Sequence, residues 1–176
     1  MGHFRMSWAL SLLSCGALAG QLSLVEPDIP ASEKARITSV AQLALRNRDI
    51  TQAQYQSTLK FLDARPCVGI DRSLNKAMKA KLSGVLAKQA GVKKIELLES
   101  FRFNTWQILY LADGKSDEYF NFYAGDPLKS KSLGSWGGAA TIFETSDIQT
   151  WAHDNIAGIP PELASCFAWH VTLDRS

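Results

Sequence analysis

The sequence predicts an α+β fold: three N-terminal helices, then an antiparallel sheet of about five strands, with one short helix before the last strand. Two periodicities predict it. Apolar residues recur every three or four positions between Ile37 and Leu86, and from Val92 the period changes to two. A third observation is the alternation at the C-terminus. Phe167, Trp169, Val171 and Leu173 would share one wholly apolar strand face, with Cys166, Ala168, His170 and Thr172 on the other. That strand is expected to close the sheet, with the helices on one sheet face.

The first helix is expected to start at Ser32, with Glu33 in its first turn and Ile37, Val40, Ala41, Ala44 and Leu45 as its apolar stripe. Thr51 and Gln54 have the spacing of a capping box. The helix they open turns Tyr55, Thr58, Leu59, Phe61 and Leu62 inward and must stop before Pro66. Asp71 or Ser73 is expected to cap a third helix, which carries Leu74, Met78, Leu82, Val85 and Leu86 and stops at Gly91.

Strands follow at residues 93–104, 105–112 and 118–124, with Asp113-Gly114-Lys115-Ser116 as a hairpin turn. In the first of these, Ile95, Leu97, Phe101 and Phe103 are expected on one face. Residues 125–138 read as a long polar, Gly-rich loop around Trp136, either a binding loop or a plain one with the indole tucked onto the sheet edge. A fourth strand is expected at residues 139–144. Ser146 or Asp147 then caps a short helix with Ile148, Trp151, Ala152 and Ile156, ended by Gly158.

The N-terminus carries an export pattern. Arg5 is a positive flank, residues 7–13 a short apolar run, and Ala17-Leu18-Ala19 a small-residue cleavage site. Residues 1–19 therefore read as a signal peptide, 20–31 as a leader with two prolines, and 32–176 as one domain. Leu12-Leu13-Ser14-Cys15-Gly16 also resembles a bacterial lipobox, in which Cys15 would be lipidated. No stretch reaches the roughly 18–20 apolar residues of a membrane span. The expected location is periplasmic or secreted, or tethered to the outer membrane through Cys15.

Without the signal region two cysteines remain, Cys67 and Cys166, and in an oxidising compartment they are most simply one disulfide. The formal charge of +2 on 176 residues argues against general nucleic-acid binding. The lysines nevertheless cluster, in Lys76, Lys79, Lys81, Lys88, Lys93 and Lys94. They are either a basic surface for an acidic partner or anionic lipid, or simply the solvated face of an amphipathic helix, the commoner arrangement.

No nucleophile elbow, phosphate loop or zinc-binding motif is present, and neither a cofactor nor a metal is expected. His153 and Asp154 point about 100° apart on a helix and would not clamp one metal. His170 would stand about 13 Å from Cys166 along a strand, too far to activate a thiol. Both histidines read as structural. Among the aromatics, Trp151 and Trp169 belong to the core, whereas Tyr119, Tyr123 and Trp136, with Gly134 and Gly137 beside the indole, are the candidate binding face.

These features favour a non-catalytic binding protein of the bacterial envelope, most concretely an inhibitor or immunity-type protein with a protein partner. The alternatives are a small-molecule or lipid carrier lined by Phe101, Phe103, Phe120 and Phe122, and a cell-wall hydrolase using carboxylates among Glu96, Glu99, Glu118 and Glu144.

Overall fold

The computed structural model describes residues 29–174. The expected signal peptide, residues 1–19, and Cys15 of the lipobox-like stretch lie outside the described residues. The element order is α1 (Ala31–Asn47), α2 (Gln52–Leu62), α3 (Lys76–Ala90), β1 (Glu96–Phe103), β2 (Trp106–Ala112), β3 (Tyr119–Tyr123), β4 (Gly134–Gly137), a 3-10 turn (Ile142–Glu144), α4 (Thr145–Asn155) and α5 (Pro161–Trp169). A π-helical turn, His170–Asp174, follows α5. The fold is α+β, with an antiparallel four-stranded sheet in the order β1-β2-β3-β4.

Local chemistry fixes most boundaries. The Thr51 hydroxyl accepts from the Gln54 amide while the Gln54 side chain accepts from the Thr51 amide, so the capping box opens α2. The third helix starts later than expected. Asn75 is its cap, accepting from Met78 N, and the Asp71 carboxylate instead closes a turn onto Ser73 N. Gly91 ends α3 at φ +66°, and Gly114 takes φ +70° in the β2–β3 hairpin.

Helices cover both sheet faces, not one as expected. Leu97, Leu109, Leu111 and Tyr123 pack with Leu82, Leu86 and Ala87 of α3. Phe101, Ile108, Tyr110, Phe120 and Phe122 pack instead with α4 and α5, through Ala152, Leu163, Ala164 and Phe167. A bulge between Leu97 and Glu99 divides β1 between the two layers. The extra residue reverses the alternation, so Ile95 and Leu97 serve the α3 side while Phe101 and Phe103 serve the other.

The expected closing strand is a helix. Pro160 and Pro161 provide the cap and first turn of α5, with Glu162 beside the positive helix end. Leu163, Ala164, Cys166, Phe167, Ala168 and Trp169 are all buried, so α5 is apolar around most of its circumference. Such a run satisfies a period of two as well as one of 3.6, and only the proline step separates them. The fourth strand also lies earlier than expected. Gly134–Gly137 pairs with β3, whereas Thr141 and Glu144 cap the 3-10 turn reciprocally.

Cys67 and Cys166 form a disulfide with Cα atoms 4.6 Å apart. It joins the connector after α2 to the middle of α5. No helix among the described residues is long and apolar enough to cross a membrane.

Candidate binding surface

The aromatic residues singled out by the sequence separate on folding. Tyr123 is 1% exposed on the α3 side, and Tyr119 is half-buried on the same face. Burial raises the Tyr123 hydroxyl above its ordinary pKa, against the lowering effect of the Asn121 amide, and burial likewise raises Tyr119. Trp136 lies on the opposite face, its ring 5.6 Å from that of Phe167 and 6.0 Å from that of Phe120. Of the two readings of residues 125–138, the indole packed onto the sheet is the one observed. Gly134 leaves room for Ile156, and Gly137 pairs with Tyr119 in register. These residues do not form one exposed face, because alternation along β3 sends Tyr119 and Tyr123 away from Trp136.

The four phenylalanines of the carrier reading fill the core instead of lining a space. The Phe167 ring stands 5.2 Å from Phe120 and 5.0 Å from Phe122, edge-on to both. Phe101 is 1% exposed, against the His170 ring at 4.7 Å, and Phe103 is partly buried at the margin of the same cluster.

The four glutamates are dispersed. Glu96 faces Lys79, and Glu144 is occupied by its cap. Tyr110 is the register partner of Glu99 and donates its hydroxyl to Glu118 Oε2. Arg72 donates to Glu99 Oε2 at 2.6 Å, and His170 Nε2 lies 3.5 Å from Glu99 Oε1. Arg72 also lies over the Phe101 ring, 5.0 Å from its centroid. This polar cluster joins the connector before α3, strand β1 and the turn after α5. Within it Arg72 and Glu99 form an ion pair.

His170 is buried beside this cluster, and it follows a helix instead of sitting on a strand. Cys166 is one turn away, bound in the disulfide. His153 is exposed near the end of α4. Among the described residues, no group of three or more His, Cys, Asp or Glu is placed to hold a metal ion.

A concave surface lies elsewhere, between α3 and the segment leading into β1. It is a groove of about 470 Å³. Lys76 and Lys79 stand on the helix wall, and Lys93 and Lys94 on the opposite wall. Ala80, Gly84 and Ala87 form a small-residue stripe between them, with Ile95 beneath the second wall. Ser83 ties the walls together, its hydroxyl accepting from Leu97 N at 3.3 Å. Glu96 Oε1 is 3.6 Å from Lys79 Nζ. Lys81 and Lys88, also in the sequence cluster, do not border the groove. Helical spacing made one wall visible in sequence. Only folding brings Lys93 and Lys94 opposite it.

Comparison with protein families, with characterised proteins and with solved structures finds no match for this chain.

Proposed function

We propose that the protein is an exported envelope protein acting as a non-catalytic binding protein, most concretely an inhibitor or immunity-type partner of an enzyme. The lysine-lined groove between α3 and β1 carries the reading. It presents four cations on two walls to one concavity, with a single carboxylate, Glu96, among them. Such a surface selects an anionic partner and steers its approach. The disulfide suits an oxidising compartment, and the N-terminal residues have the pattern of a signal peptide, with either plain cleavage after Ala19 or lipidation at Cys15.

The test is site-specific photo-crosslinking in a bacterial envelope, with p-benzoylphenylalanine replacing Lys93 in the full chain. The same group replacing exposed Gln52 on α2 serves as the control. A light-dependent adduct to one protein from Lys93, absent from Gln52, is the expected result. Equal labelling from both positions, or none from either, would overturn the proposal.

A further inference from the structure

We infer that the groove receives an acidic α-helix of the partner, whose carboxylates reach the lysines on both walls while its backbone lies over Gly84. This deepens the binding-protein reading and rests on it. The groove's α3 side begins at Lys76 and ends at Ala87, in steps of three and four, so it is one helix stripe about 16 Å long. A second helix laid along such a stripe presents carboxylates about 5–6 Å apart at i and i+4, a spacing matched by side chains on a facing helix.

Gly84 points the same way. It lies mid-helix, where glycine costs about 0.5–1 kcal/mol relative to alanine. It is not among the glycines with positive φ, and a Cβ built there would meet nothing within 4 Å. Neither backbone conformation nor internal packing requires a glycine at this position. A glycine there leaves room for another backbone to approach closely, and small residues at four-residue spacing are what allow helices to come near one another. An anionic membrane surface would engage the lysines without needing a small floor. The floor therefore favours a helix over a lipid surface.

The experiment uses the full chain, oxidised, and a labelled acidic amphipathic peptide of about 18 residues, long enough to hold a helix, with glutamates at three- and four-residue spacing around alanine and leucine. Its glutamine isostere and phosphatidylglycerol vesicles are the comparison probes. The acidic peptide is expected to bind with a salt-dependent affinity, about tenfold or more above the isostere. Gly84→Leu and the double variant Lys93→Glu/Lys94→Glu should each lose about tenfold, with circular dichroism and thermal melting showing both still folded.

Unchanged binding by these folded variants, no binding of the peptide, or binding to vesicles alone would each overturn the inference. The photo-crosslinking separates this failure from that of the parent reading. A partner captured equally by wild type and Gly84→Leu removes the helix and keeps the binding protein. Absence of capture removes both.

Discussion

Gly134 sits directly against Ile156: a methyl group built on the glycine would stand 2.5 Å from the isoleucine Cδ1. Ile156 is 1% exposed, so its side chain has little free space to retreat into. Gly134→Val should destabilise the protein by about 1–3 kcal/mol, the usual cost of overpacking. Urea denaturation measures this, and an unchanged midpoint would show that β4 and the end of α4 pack more loosely than described.

The opposite sign is expected at Gly84. A methyl group there meets nothing, and the helix gains propensity, so Gly84→Ala should raise stability by about 0.5–1 kcal/mol. The same denaturation series would detect it. A loss of stability would mean that the α3 stripe is covered within the chain itself.

Reduction should weaken the fold strongly. Cys67 and Cys166 are 99 residues apart, and the chain-entropy model assigns about 4–5 kcal/mol to closing such a loop. Urea midpoints with and without a reductant, at neutral pH, give the comparison. Coincident curves would place the tie outside the cooperative unit.

Stability should fall toward acid for identifiable reasons. Burial alone would raise Asp71, but hydrogen bonds from Ser73 and the Arg102 guanidinium hold its carboxyl below the ordinary range. The Ser116 and Lys115 amides lower Asp113 in the hairpin turn. A carboxyl with a depressed folded pKa stabilises fully above its unfolded value near pH 4, and the contribution is lost as pH falls through the folded value. Asp71→Asn should therefore flatten the decline measured from about pH 6 down to about pH 3. Buried Tyr123 acts at the other end. Its raised pKa contributes stability below about pH 10, which is lost as pH rises through the folded value.

What was legible in the sequence was what short-range chemistry decides. Thr51 with Gln54, Gly91 after α3, and Gly114 in its hairpin each act within one turn of backbone, and their residue types announce them. The pairing of Cys67 with Cys166 needed only the count once Cys15 was set aside with the N-terminal region. The errors lie where two structures satisfy one pattern. The apolar residues of α5 fit a buried strand as well as a buried helix, and the decision belongs to Pro160 and Pro161. β4 is two glycines around Ser135 and Trp136, a weak strand by propensity, held by backbone pairing with β3. One bulged residue in β1 exchanges the faces on either side of it, and no composition signal marks it. For the candidate site, the lysines were visible but not their arrangement across a groove. The aromatic face failed because Tyr119 and Tyr123 of β3 point to the α3 layer while Trp136 of β4 points to the other.

The position of α5 has a consequence for biosynthesis. Phe120 and Phe122 are translated well before Phe167, whose ring lies against both of them. Chains emerge N-terminus first, at about 5–20 residues per second. Until α5 follows, the sheet presents an oily, uncovered side to whatever surrounds it. A chain ended before Pro161 would have no lid for that side and would be prone to clumping. Final closure, and with it the crosslink through Cys166, waits for α5 to be delivered.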